Sequence, residues 1–139
     1  LKELLLKLDY SEDYQECYVC GKENIHGLKL TFIYEDASDE IYTRCRFAKY
    51  MQGYSDIVHG GFISMLLDEV MAKMCLQRGI RAVTGKLEVK FNKPVYVEEE
   101  VEFRAQFEDI QKKKVLLLAR CLDLNGVQHA RAHGLFIRV

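Results

Sequence analysis

Val58-His59-Gly60-Gly61-Phe62-Ile63-Ser64-Met65-Leu66-Leu67-Asp68-Glu69 is the stretch that decides how this chain folds. It runs on as an unbroken helical pattern to Arg78-Gly79, where a basic last turn followed by glycine is a C-terminal stop signal. Of the 17 residues from Phe62 to Arg78, 11 are apolar, and they fall on nearly every face. A helix that is apolar all round belongs inside a protein. The two glycines at its start let another backbone or a ligand approach closely. Asp68, in its middle, is a residue type rarely buried without a reason. A buried helix with an open N-terminus and an embedded carboxylate points to a catalytic element.

Outward from the helix the apolar period changes from helical to two. Downstream come four strand-like runs, at about 82–92, 97–109, 113–124 and 127–139. Their connections are short (Asn92-Lys93-Pro94, Gln111-Lys112-Lys113, Leu124-Asn125-Gly126), so neighbouring strands are expected to be antiparallel. Upstream, Leu28, Leu30, Phe32 and Tyr34 alternate, then Ile41, Thr43, Cys45 and Phe47, with an acidic turn at 35–39 between them. That pattern predicts two strands joined by a hairpin, followed by a loop over 50–58 that delivers the chain to the glycines. Val115-Leu116-Leu117-Leu118-Ala119 is apolar on both faces. One face can pack on the helix, and the other is expected to meet a partner or the N-terminal segment. Two strands, one long helix and four strands give an α+β fold, an antiparallel sheet curled around a single central helix.

The 139 residues suit one core, and the formal net charge of -1 implies no general attraction to nucleic acid or to a membrane surface. No apolar run approaches the roughly 18 residues needed to span a bilayer. Leu1 to Leu8 is too short and too charged for a signal peptide, so the expected location is cytoplasmic. Leu1, Leu4, Leu5 and Leu8 share one face of a short amphipathic helix. Five cysteines, an odd number set mostly in apolar patterns, argue for reduced core thiols rather than a disulfide framework. Cys17-Tyr-Val-Cys20-Gly21 forms a single CxxC, with His26 six residues on. A zinc site needs a fourth ligand, and there is no second CxxC, so a tight turn with packed thiols is expected and no metal. No other cofactor is implied.

His59-Gly60-Gly61, seven further residues to Asp68, Arg78-Gly79, and a strand ending Phe91-Asn92-Lys93-Pro94 together resemble the hotdog-fold acyl-CoA thioesterases. The likeness is strongest to the phenylacetate-degradation and thioesterase-superfamily type. It covers residues 28–139, which would be the hotdog domain. The segment from Cys17 to Leu28 looks like a leader found in bacterial members, making 1–27 an N-terminal leader segment. The resemblance implies a homodimer, often paired again into a homotetramer, that hydrolyses the thioester of an acyl-CoA substrate. By the same resemblance Gly60 matches the glycine whose backbone N–H polarises the thioester carbonyl, and Asp68 the catalytic carboxylate. His59 matches the motif histidine that shapes the turn before the helix. Thr84 falls where related enzymes carry a hydroxyl residue that positions the attacking water. Gln52, seven residues before His59, is the candidate for the amide side chain that contacts thioester or water; it stands one residue further upstream than in some members.

The chemistry suits these residue types. An unpaired N–H at a helix start sits at the positive end of the helix dipole and stabilises charge on a carbonyl oxygen. A carboxylate either takes a proton from water or attacks directly. In an apolar helix Asp68 is expected to have a raised pKa. Gly60 and Asp68 are eight residues apart, roughly 12 Å at about 1.5 Å per residue. One carbonyl cannot easily touch both within a chain, so joint action requires Gly60 of one subunit to face Asp68 of another across a two-fold axis.

Blander readings accompany each residue. Glu69 and Lys73 are spaced for a helix ion pair, and the Ser64 hydroxyl for a bond to its own helix rather than to substrate. His59 is expected to be structural rather than an acid or base. Thr84 stands between strand packing and water positioning. Gly61, Ser64 and Lys90 are the candidate substrate contacts. Lys86, Lys90 and Lys93 alternate loosely along an edge where CoA phosphates or solvent would meet them. Two alternative functions remain on the residues alone: an acyl-CoA-binding module without catalysis, and a hotdog dehydratase, whose HFP-like motif this chain lacks.

Overall fold

The computed structural model describes residues 14–139; the amphipathic pattern over 1–9 lies outside the described residues. Six strands form one antiparallel sheet: β1 (Ile33–Glu35), β2 (Glu40–Arg46), β3 (Ala82–Phe91), β4 (Glu100–Ile110), β5 (Lys114–Asp123) and β6 (Gln128–Arg138). Their order across the sheet is β1-β2-β4-β5-β6-β3. The helix α1 (Gly60–Gln77) packs against β2 through β6. This is the expected architecture: α+β, with an antiparallel sheet wrapped round one helix.

The sheet's inner face is the core. Ile41 and Thr43 of β2, Phe103 and Ala105 of β4, Leu117 and Ala119 of β5, and Ala132 and Phe136 of β6 are buried against Leu66, Leu67, Val70, Met71 and Met74 of α1. Three buried alanines stand in one row across neighbouring strands, Ala105 opposite Ala119 and Ala119 opposite Ala132, which lets the helix settle close to the backbone. Gly134 is one such place: a Cβ there would lie 2.8 Å from the Phe136 ring and 2.9 Å from the end of Met71. In β5 the expected two-sided apolar run is present, with Val115, Leu117 and Ala119 buried inward while Leu116 and Leu118 remain half-buried on the outer face. That outer face also carries a web of ion pairs, in which Arg104 reaches Glu102 at 2.9 Å, Glu35 at 3.0 Å and Glu40 at 3.2 Å. Among the described residues, no helix is long and apolar enough to cross a membrane.

The sequence pattern overextends the first strand. Leu28 to Phe32 do not join the sheet, and β1 begins at Ile33. Their backbone is used elsewhere: Leu28 donates to the Tyr18 carbonyl at 2.8 Å, Leu30 donates to Val19 at 2.9 Å, and Lys29 turns to φ 51°. The CxxC turn itself thus claims donors that a strand would offer to its neighbour. Side-chain alternation survives the change, since Leu28 and Leu30 still pack on the core and Phe32 is buried.

The helix ends as its sequence requires. Gly79 takes φ 73° and donates to the Leu76 carbonyl at 2.9 Å, while Ile80 donates to Cys75 at 2.9 Å. Arg78 leaves the helix towards Asp39, 2.9 Å away in the β1–β2 turn.

Filling the close approach at Gly134 tests the packing. Gly134→Ala is expected to lower stability by about 1–3 kcal/mol through overpacking, read as a fall in the urea midpoint at unchanged slope.

Candidate active site

The start of α1 is shaped by His59. Its backbone stays outside the helix (φ -58°, ψ 132°), and its Nδ1 accepts the Gly61 N–H at 2.9 Å. That bond makes His59 the N-cap and places the neutral ring's proton on Nε2. Phe62 N–H donates to the His59 carbonyl at 3.0 Å, and Ser64 Oγ donates to the Gly60 carbonyl at 2.9 Å. The Gly60 N–H has no acceptor among the described residues. It is the one first-turn donor of this group left uncommitted, and it lies at the positive end of an 18-residue helix.

Gly60 opens on a groove of about 650 Å³ lined by His59, Tyr54, Phe91, Lys93 and Pro94 among others. Phe91, at the end of β3, leans over the helix start, and a Cβ at position 60 would lie 3.3 Å from its ring. Glycine is what leaves room there. The loop before the helix is pinned on both sides: Val58 N–H donates to Val95 at 2.8 Å and His59 N–H to Met51 at 2.9 Å. Gln52 lies in this loop, exposed, with its side-chain Oε1 accepting the Asp56 N–H at 3.0 Å.

Asp68 lies two turns further along α1, roughly 12 Å from Gly60 at about 1.5 Å per residue, and does not line the groove. It is half-buried on a stripe with Gly61, Met65 and Ala72 that the chain's own sheet leaves partly uncovered. Burial pushes its carboxyl above the usual range; a hydrogen bond from Thr84 Oγ1 at 2.6 Å partly offsets this, and the neighbouring Glu69 charge adds to the rise. The result is a carboxylate more basic than an ordinary aspartate.

Thr84 reaches Asp68 because β3 is bulged. Its pairing with β6 slips between Thr84 and Lys86, at Gly85. Ala82 and Thr84 face the helix; past the bulge, Leu87, Val89 and Phe91 do. A bulge re-aims side chains in this way near functional sites. Past the bulge, Lys86, Glu88 and Lys90 alternate with Leu87, Val89 and Phe91 and take the other face, with Lys86 3.9 Å from Glu88, whereas Lys93, beyond the end of the strand, lines the groove. The three lysines that alternate in sequence are therefore divided in space. Phe91 and Pro94, which bound the Phe91-Asn92-Lys93-Pro94 strand end of the motif, line the groove, and Tyr54 joins them with no signal in the sequence beyond its place in the loop before the helix.

Four of the five cysteines offer no rival nucleophile. All five are free. Burial pushes the thiols of Cys20, Cys45, Cys75 and Cys121 up to about 12, so they stay protonated at neutral pH. Glu69 and Lys73 form the ion pair that their spacing implies, at 2.9 Å.

Comparison with known proteins follows the same lines. The chain is 25% identical over 116 residues to the acyl-coenzyme A thioesterase THEM4 of Bos taurus, covering 81% of this chain and 48% of that protein. It thus spans about half the length of that relative. A thioesterase superfamily protein of known crystal structure superposes with a TM-score of 0.80 at 20% identity, covering 86% of this chain and 61% of the other. A hypothetical thioesterase from Streptococcus pneumoniae, solved with coenzyme A, superposes with a TM-score of 0.69 at 12% identity over 72% of this chain and 78% of its own. At those identities the two structures speak for the fold. Residues 56–127, from the loop before α1 to the start of β6, match the thioesterase superfamily, and with the helix, the sheet order and the motif in place this chain belongs to that family.

Proposed function

We propose that this protein is an acyl-CoA thioesterase, hydrolysing an acyl-CoA to free CoA and a carboxylic acid, with its active site shared between two copies of the chain. The observation that carries the reading is the split along α1: an uncommitted Gly60 N–H on the groove, and a basic Asp68 carboxylate two turns away on an uncovered stripe. The family and the name of the bovine relative favour thioester hydrolysis, and coenzyme A bound to the Streptococcus pneumoniae neighbour favours a CoA-linked substrate.

In this mechanism the acyl chain enters the groove and the thioester carbonyl accepts the Gly60 N–H. Negative charge developing on that oxygen is stabilised by the donor and by the helix dipole. Asp68 of the partner subunit either takes a proton from a water whose oxygen attacks the carbonyl carbon, or attacks that carbon itself to give a mixed anhydride that water then hydrolyses. In both routes the C–S bond breaks and the CoA thiolate leaves to be protonated. Thr84 holds the carboxylate and orients the water. His59 fixes the turn that bares the Gly60 N–H. In this reading Gln52, Gly61 and Ser64 would shape the substrate's approach to the helix start. Lys93 at the groove supplies positive charge for CoA phosphates, whereas Lys90 lies on the other face of β3.

The dimer supports the geometry in two ways. Two α1 helices running antiparallel across a two-fold would set each Gly60 against the partner's Asp68, giving two equivalent sites. The surface such a dimer would cover is apolar for an edge: Val83 and Phe91 of β3 are each 54% exposed, and β3 offers a free edge to a second sheet. A further pairing into tetramers fits the half-buried Leu116 and Leu118 on the outer face.

A second reading, an acyl-CoA-binding module without turnover, is favoured by one observation. Gln52 Oε1 is occupied by Asp56, which restrains the amide from serving the thioester.

Asp68→Asn separates these readings. Across a panel of acyl-CoAs, with CoA release followed by a thiol reagent against a no-substrate control, turnover should fall by about 10²-fold or more while acyl-CoA binding and the dimer persist. A wild type that binds acyl-CoA yet turns over no member of the panel would establish the sensing module instead. Sedimentation should find no monomer at assay concentrations, and monomeric, fully active protein would sink the shared site.

The raised pKa of Asp68 has a stability consequence of definite sign. Its carboxyl holds its proton more tightly in the folded than in the unfolded chain, where 3.8 applies. The stabilisation is thus complete below 3.8 and is lost as pH rises through the folded-state pKa. Relative to Asp68→Asn, wild type should lose melting temperature as pH climbs through that window, then stay level above it. A difference independent of pH would contradict the burial account.

A further inference from the structure

We propose that Cys17, Cys20 and Glu69 form a zinc site that fastens the segment before the hotdog domain to the catalytic helix. The CxxC alone is two ligands short of a tetrahedral set. The fold supplies a third from a distance of about 50 residues, because the Cys17 Sγ, the Cys20 Sγ and a Glu69 carboxylate oxygen all lie within 4.8 Å of one another. His26, the nearby histidine in sequence, is exposed and does not belong to this group.

The turn that presents the thiols is built tightly. Gly21 N–H closes on the Cys17 carbonyl at 2.8 Å, and a Cβ on Gly21 would lie 2.5 Å from the Cys17 nitrogen and 2.5 Å from the Gln15 carbonyl oxygen. The turn therefore needs glycine directly after the second cysteine, and it holds both sulfurs towards α1. Glu69 is held in turn by Lys73, at 2.9 Å. With bonds of about 2.3 Å to sulfur and 2.0–2.2 Å to oxygen, a tetrahedral zinc spaces its ligand atoms roughly 3.5–3.8 Å apart. Cys17 Sγ and Glu69 Oε2 are already at 3.9 Å. Closing the rest takes a movement of order 1 Å or less, within reach of side-chain rotation.

Charge decides the metal. Two thiolates and one carboxylate offer three negative charges, and the Lys73 ammonium, 3.1 Å from Cys20 Sγ, brings one positive. A divalent ion makes the cluster neutral, and it replaces two thiol protons without altering the net charge of a partly buried site. Thiolate sulfur selects zinc over magnesium or calcium. Lys73 then acts as an outer partner, donating to a metal-bound sulfur and fixing the carboxylate. Lys73 is only 4% exposed and also lies over the Tyr14 ring at 4.3 Å, so the cluster is roofed by the same segment that it would anchor. All three ligand residues remain partly exposed, which leaves the fourth position to water.

Because Glu69 follows Asp68 directly, the metal would brace α1 at the residue beside the proposed catalytic carboxylate. The site itself stands whether or not the thioesterase reading does.

Cobalt(II) titration of the full chain, with thiols kept reduced and counted by mass, tests it directly. One equivalent per chain should bind and give the intense thiolate-to-cobalt charge-transfer absorption, and zinc should displace it. Against a zinc chelator of known affinity, Cys17→Ser and Cys20→Ser should each weaken binding by about 100-fold and Glu69→Gln by about tenfold. Cys45→Ser and His26→Ala should leave it unchanged. Zinc should also raise the melting temperature of wild type and not of Cys20→Ser. Absence of the charge-transfer band in reduced wild type overturns the proposal, and that readout does not depend on any variant folding. So does equal zinc affinity in Glu69→Gln, or purification of the chain with Cys17 and Cys20 joined as a disulfide that metal does not prevent.

Discussion

The need to hide one helix governs this structure. With apolar residues on nearly every face, α1 cannot lie on a surface, and a flat sheet covers only one side of a helix. The six-stranded sheet answers by curling, so that five strands touch the same helix and residues from Ile41 to Phe136 share one core. What the sheet leaves uncovered is narrow: Gly61, Met65, Asp68 and Ala72, beside the free edge of β3. The carboxylate sits on that remaining strip, where neither water nor protein fully surrounds it. Its raised basicity is a product of the same packing problem.

Much of this is legible in the sequence, for a physical reason. Helix period, the glycine stop at Gly79 and the short turns between strands are local signals, and local signals fixed the element order from Glu40 to the C-terminal strand. Leu28 to Phe32 misled because alternation reports which side chains go inward, not which backbone groups pair. Those residues do face the core, yet their N–H groups serve Tyr18 and Val19.

The site was half legible. The motif from His59 to Asp68 and the hydroxyl of Thr84 stand out as residue types in a meaningful order. The groove does not, because Tyr54 before the helix and the Phe91–Pro94 stretch after it converge only in the folded chain. The meeting of Glu69 with the CxxC is equally invisible to spacing, since it depends on the turn at Cys17–Gly21 packing against α1. The lysines show the limit most clearly. Their alternation looks like one row, but Lys86 and Lys90 share one face of β3 while Lys93 lies beyond the end of the strand, beside the groove.

The place of β3 in the sheet also sets the order in which the fold can be completed. β3 follows the helix directly in the chain, yet its partner within the sheet is β6, which comes after the other five strands of the sheet in sequence. While the chain is being synthesised, β2, β4 and β5 can pair in turn, but the strand carrying Thr84 and Phe91 must wait with both edges bare. The site's walls therefore assemble last, through contacts about 50 residues apart in sequence, and non-local pairings of this kind form slowly because the intervening chain must first be closed into a loop. A nascent chain halted within β6 would hold a nearly finished core and an unfinished groove, with an apolar strand open to pairing with any neighbour.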